Sequence, residues 1–139
     1  MEISTTKFGT IQIDDNKVIV FDNGILGFEQ NKRFVIFSTN AMSKFYWLQS
    51  VDEPDLALAC MDPLNVCDDY SPKIDQSVFD ELQVVDNNIL VLCVVVIPAD
   101  IAKATVNLAA PIIINVEKQK ALQVVLQNDK YNPRHLVFK

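Results

Sequence analysis

Glycine is scarce in this chain, with three residues in 139, at positions 9, 24 and 27. A collagen-like fibre and a Pro/Gly-rich linker are therefore excluded. Long apolar runs are missing too. The longest, Ile89 to Ile97, has nine residues, where a spanning helix needs about 20. The opening Met-Glu-Ile-Ser-Thr-Thr-Lys lacks the basic and apolar regions of a secretory signal, so the cytosol is the expected compartment. Basic charge is in deficit, with twelve Lys and Arg against eighteen Asp and Glu, a net charge of -6 and a pI near 4.6. Affinity for nucleic acid comes mainly from Lys and Arg displacing counterions, so a basic protein is a better expected partner than RNA or DNA. Histidine occurs once, at His135, and the three cysteines, Cys60, Cys67 and Cys93, show neither zinc-finger nor C-x-x-C spacing. No metal and no cofactor is expected, and reduced thiols are.

Half of the residues are hydrophobic and 22% are charged, a composition that suits one globular domain over residues 1–139 burying about 70% of its unfolded surface. Ile3 to Thr6 and Thr10 to Ile13 alternate apolar or β-branched side chains with polar ones across Gly9, the period of a strand with one buried face. Short runs rich in aliphatic and aromatic residues follow at 17–21, 33–38, 45–50 and 56–61, punctuated by Asp-Asp-Asn, Asn-Gly, Thr-Asn and Asp-Glu-Pro-Asp. Six of the nine residues from Ile89 to Ile97 are β-branched. That run, about 30 Å if extended, is the expected centre of the core, and Pro98 closes it. Runs at 111–116 and 122–126 flank a turn at 117–120 and predict a hairpin. One stretch departs from strand grammar. After Asp75, a natural N-cap, the apolar Val78, Phe79 and Leu82 fall at i, i+1 and i+4 and predict about two turns of helix. The fold class is mainly β, an antiparallel β-barrel-like or sandwich domain with one short helix near residues 75–83.

Few residues carry recognisable chemistry. His135 has Asp129 and Arg134 nearby in sequence, but no nucleophile elbow or triad motif accompanies it, so catalysis is not expected. Cys60 and Cys93 lie in apolar strands and read as small buried hydrophobes. Charge is distributed unevenly. Residues 52–86 hold ten acids (Asp52, Glu53, Asp55, Asp62, Asp68, Asp69, Asp75, Asp80, Glu81 and Asp86) and one base, Lys73. From Lys118 onward there are five bases (Lys118, Lys120, Lys130, Arg134 and Lys139) against Asp129. The acidic stretch reads either as a solvated rim whose turns use Asp or as an electrostatic docking face for a basic protein. Phe45-Tyr46-Trp47-Leu48-Gln49-Ser50 holds the single tryptophan. In a strand, Phe45 and Trp47 point one way and Tyr46 and Leu48 the other. One face is core, and the other is either core as well or an apolar patch that receives a partner.

Seven phrases stand out along the chain: Phe8-Gly9-x-Ile11, Gly24-Ile25-x-Gly27-Phe28, Phe45-Tyr46-Trp47-Leu48-Gln49-Ser50, Asp62-Pro63, Asn107-Leu108-x-Ala110-Pro111-Ile112, Gln123-Val124-Val125-Leu126 and Lys130-Tyr131-x-x-Arg134-His135. Taken together, they resemble the FliW family of flagellar assembly factors. They occur in the family's order from about residue 6 to residue 135. The resemblance implies a cytosolic, non-enzymatic, β-barrel-like protein with two partners. One is CsrA, an RNA-binding dimer that represses flagellin translation, and the other is flagellin, which withdraws the factor from CsrA. Candidate contacts follow from the charge and aromatic patterns: Asp52, Glu53, Asp55, Asp68 and Asp69 for CsrA, and Phe45, Tyr46, Trp47 and Leu48 for flagellin. The alternative is a small β-barrel ligand-binding module or enzyme with a pocket in the barrel mouth near Trp47.

Overall fold

The computed structural model describes residues 1–38, 44–127 and 130–138. The turn expected at Thr39-Asn40, together with Asp129 and Lys139, lies outside the described residues. The first two alternating runs form a separate antiparallel hairpin, β1 (Glu2–Thr5) and β2 (Gly9–Gln12), with Thr5 opposite Gly9. Gly9 supplies the positive φ of the turn, +73°. The Thr5 hydroxyl locks that turn by accepting from the Phe8 amide at 2.9 Å and donating to the Gly9 carbonyl at 2.7 Å.

The remaining runs build the main sheet: β3 (Ile19–Phe21), β4 (Arg33–Phe37), β5 (Phe45–Ser50), β6 (Ala57–Met61), β7 (Ile89–Val96), β8 (Thr105–Val106), β9 (Ile112–Asn115), β10 (Lys120–Gln123) and β11 (His135–Leu136). Seven of them, in the order β3-β4-β5-β6-β7-β9-β10, close into a barrel when β10 pairs with β3. The expected mainly β, antiparallel barrel with one short helix is what forms, and this closing pair, Lys120 opposite Val20 and Ala121 opposite Phe21, is its one parallel pairing among the described residues. The reason is parity. Six successive antiparallel pairings turn the chain back and forth, so the seventh strand runs the same way as the first and can close on it only in parallel.

β7, the run expected at the centre of the core, contributes Leu92 to one apolar cluster and Cys93 and Val95 to the other. One edge pairs with β6, while the other pairs first with β9 (residues 89–92) and then with β8 (residues 95–96). β8 and β11 thus form a flap beside the barrel. The β9–β10 hairpin falls where the sequence placed it, but β10 starts two residues earlier. Its pairing continues past Gln123, because Val124 and Leu126 donate to the carbonyls of Pro111 and Ala109.

Two apolar clusters result from alternation. Phe21, Phe34, Leu48, Cys60, Leu92, Ile112 and Ile114 fill the barrel. Met61, Tyr70, Cys93, Val95, Val106, Leu108 and Tyr131 pack on the outer face of β6 and β7. Tyr70 and Tyr131 close that outer cluster edge to face at 4.5 Å, with the Tyr70 hydroxyl donating to the Leu108 carbonyl at 2.7 Å. The helix α1 (Gln76–Glu81) is capped by Asp75, whose carboxylate accepts from the Ser77 amide at 3.1 Å. Buried Asn115 then holds the end of the helix by donating to the Leu82 carbonyl at 2.8 Å. No helix among the described residues is long and apolar enough to cross a membrane.

Candidate functional site

β5 places its aromatic side chains as the strand period requires. Tyr46 and Leu48 join the barrel interior, and Phe45 and Trp47 face outward. Leu48 is fully enclosed. Trp47 is capped by the N-terminal hairpin. The Phe8 ring meets it edge-on at 5.9 Å, and the Lys7 ammonium sits 4.2 Å from its ring centroid, a cation–π contact. Phe45, at the far end of β5, lines a small cleft of about 240 Å³ with Met61, Val66, Val137 and Phe138. Of the four aromatic-strand candidates, Phe45 is therefore the one placed at a surface cleft. The barrel mouth is a separate groove lined from Ile25 to Phe28 and by β6, β7 and β8, and Trp47 is on the opposite side of the wall from it.

The acidic candidates fall into two groups with β6 between them, roughly 15 Å of strand. Asp52, Glu53 and Asp55 occupy the turn before β6 and are already engaged. Asp52 holds Arg33 through two hydrogen bonds, Glu53 accepts from the Asn31 amide group at 3.1 Å, and Asp55 accepts from the Thr6 hydroxyl. The Asp52 carboxylate raises the Arg33 guanidinium above its ordinary value, first by hydrogen bonding and then by Coulombic attraction. Asp68 and Asp69 come after β6, both exposed, on a cleft of about 570 Å³ with Asn65, Val66, Cys67, His135 and Val137.

Burial, and secondarily Asp69, pushes the Cys67 thiol up, and its sulfur donates to the Asp69 carboxylate at 3.3 Å. His135 is half-buried in β11, with a shielded Nε2 that has no partner among the described residues. Other acids of the stretch serve local structure. Asp62 caps the short 3-10 turn at 63–65, accepting from the Leu64 amide at 2.9 Å, and Asp80 accepts from Gln76 at 3.1 Å. All three cysteines are free. Burial raises Cys60 strongly and lifts Cys93 to about 12, so both thiols stay protonated in the folded protein. No three His, Cys, Asp or Glu side chains gather as a metal-binding group among the described residues.

The candidates thus lie at two adjoining clefts, an acidic one at Asp68 and Asp69 and a more apolar one at Phe45, which share Asn65, Val66 and Val137. Sequence reasoning allowed for a pocket in the barrel mouth but placed it near Trp47, whereas the groove is lined by Leu26, Phe28, Leu58 and Val96. Its one available signal was Leu26, an apolar residue between Gly24 and Gly27 in a segment too short to be a strand.

Comparisons with known proteins agree with this architecture. The family model described as FliW protein matches residues 2–137. A flagellar assembly factor FliW from Caldanaerobacter subterraneus is 41% identical, with 99% of this chain and 93% of the relative covered. Another from Caldicellulosiruptor bescii is 37% identical, covering 98% and 90%. A crystal structure of the flagellar assembly factor FliW superposes with a TM-score of 0.90 at 30% identity, over 100% of this chain and 98% of that one. The sequence phrases, the barrel and these matches agree, and the chain belongs to the FliW family of flagellar assembly factors.

Proposed function

We propose that this protein works in the cytosol by binding rather than by catalysis, as a partner switch between CsrA and flagellin. In this reading it binds CsrA and relieves repression of flagellin translation, and free flagellin binds it and withdraws it. The observation that carries the reading is the charge arrangement. Residues 52–86 bear ten acids and a single base, and Asp68 and Asp69 stand exposed beside a cleft large enough to receive a protruding segment. A basic RNA-binding protein is the complementary partner, steered by charge and selected by it.

Among the five candidate CsrA contacts, Asp68 and Asp69 lead. Asp52, Glu53 and Asp55 are already committed to Arg33, Asn31 and Thr6, and they contribute mainly to the long-range field. Flagellin is assigned to the aromatic strand. Phe45 makes the contact at its cleft, and Tyr46, Trp47 and Leu48 hold that strand in place from both sides. Binding to CsrA should weaken as salt rises, mainly through a slower on-rate, because exposed charges are screened beyond about 8 Å at physiological salt. The Asp68→Asn, Asp69→Asn double variant should reproduce the high-salt result in water of ordinary ionic strength. Flagellin titrated into a preformed complex should release CsrA in proportion, since a switch requires flagellin to lower the affinity for CsrA and linkage makes that effect reciprocal. Salt-independent binding of CsrA, or a ternary complex with both affinities unchanged, would defeat the reading.

A further inference from the structure

The barrel wall does not end where the barrel closes. Leu58 and Val94 lie on the inner face of β6 and β7 and pack against the interior. Val96, two residues on along the same face, stands 62% exposed. Facing it across a groove of about 470 Å³ is the turn from Gly24 to Phe28, with Leu26 63% exposed and Phe28 39% exposed. Apolar surface of this kind, gathered around one concavity, is the usual mark of a binding site.

The turn is held rigidly in this position. Gly24 has φ +68°, and a Cβ there would lie 2.6 Å from the Glu29 backbone. Phe28 donates its amide to the Ile25 carbonyl at 2.6 Å. Gln123, on β10, accepts the Leu26 amide at 2.8 Å and anchors itself by donating to the Ala110 carbonyl at 3.1 Å. Leu26 is thus held out in water by a network spanning the chain, and a partner that covers it gains its burial without first ordering the loop.

The groove also restricts the form of its occupant. β6 and β7 pair with each other only as far as Ala59 and Val95, and beyond that point Leu58 is paired to Leu48 of β5 and Val96 to Thr105 of β8. The floor therefore offers mainly side chains. An extended peptide would leave most of its own backbone groups unpaired there, whereas a helix brings its hydrogen bonds already made. Among the described residues that line the groove, Arg134 alone is charged, and its guanidinium makes no ion pair among the described residues.

We propose that the barrel mouth is a docking site for an amphipathic helix of a protein partner, with apolar residues at i, i+3, i+4 and i+7 and a carboxylate beside that stripe facing Arg134. The site is distinct from the acidic cleft and the Phe45 cleft, its preferred partner charge is the reverse of the acidic cleft's, and it does not depend on the identities of CsrA and flagellin.

The test uses the full chain with ¹³C-labelled Leu and Val methyl groups and two synthetic helical peptides of 18 residues. Both carry leucines at i, i+3, i+4 and i+7, and they differ only in flanking that stripe with two glutamates or two lysines. The glutamate peptide should shift the methyl signals of Leu26, Leu58, Val94 and Val96 saturably. The lysine peptide should bind at least about ten-fold more weakly, a difference of about 1.4 kcal/mol. Arg134→Ala should erase that difference, and Val96→Glu, at an exposed position, should abolish binding of the glutamate peptide with the melting temperature little changed. Equal affinities of the two peptides for the unaltered protein, shifts centred on Val66 and Val137, or self-association that fills the groove without peptide would each overturn the proposal.

Discussion

The two faces of the wall formed by β5, β6 and β7 are built in opposite ways. Its inner face, with Leu48, Cys60 and Leu92, is enclosed mainly by strands, with Ile25 and Leu56 from the connecting turns, and the wall closes round it when β10 meets β3. Its outer face, with Trp47, Met61, Cys93 and Val95, is covered piecemeal. Phe8 and Lys7 roof one part, Tyr70 and the 3-10 turn another, and the C-terminal segment with Tyr131 and Val137 a third. Surface clefts open at the seams between these covers, at Phe45 and at Asp68. The inner face makes the fold and opens only at the barrel mouth, whereas the outer face leaves clefts along its seams.

The largest effect should separate the two faces directly. Phe34→Ala empties a fully buried position of the barrel and should cost about 3–5 kcal/mol in urea unfolding. Phe8→Ala removes a half-buried cover of the outer face and should cost about 1–2 kcal/mol. Equal losses would erase the distinction. Next comes the turn that continues the inner face to the mouth. Gly24→Ala needs both a left-handed residue and a displaced Glu29 backbone, and should lose about 2–3 kcal/mol, read by the same unfolding curve.

Alkaline pH probes both faces at once, through Cys60 inside and Cys93 outside. An ordinary thiol titrates near 9.0, whereas burial holds Cys93 near 12 and Cys60 well above its ordinary value. Below pH 9 both thiols are protonated in folded and unfolded chains alike, so stability is unaffected. Above it only the unfolded chain releases the protons. Stability should therefore fall as pH rises from 9 towards 12, by up to about 1.4 kcal/mol per pH unit for each thiol. Cys93→Ser should flatten that slope, and an unchanged slope would mean the outer face is wetter than its packing indicates.

A smaller effect tests how the outer cover is fastened. Tyr70→Phe leaves the buried Leu108 carbonyl without its donor and should cost about 1–2 kcal/mol. The smallest concerns Cys67, at the seam. Cys67→Ser should leave the melting temperature nearly unchanged. In the native protein, iodoacetamide should label Cys67 well before Cys60 or Cys93, as mass spectrometry of the peptides would show.

By itself the sequence determined the local elements. Alternation at 3–6 and 10–13 on either side of Gly9 marked the first two strands, each within one residue of its place, β-branching from Ile89 specified β7, and Asp75 three residues before Val78 specified the start of α1, because each depends on neighbours within a few residues. The alternation of β5 likewise assigned Tyr46 and Leu48 to one face and Phe45 and Trp47 to the other, and the ordered phrases determined the family. Tertiary structure decided what depends on distant pairs. Only closure by an odd number of strands makes β3 and β10 parallel. Only folding brings Arg33 to Asp52 and Thr6 to Asp55, and puts Asp68 and Asp69 beside a cleft with His135 and Val137. Only Gln123, 97 residues from Leu26 along the chain, holds that leucine at the rim of the barrel mouth. A charge or an apolar side chain can be read from sequence, but whether it is engaged or open depends on contacts that no local pattern encodes.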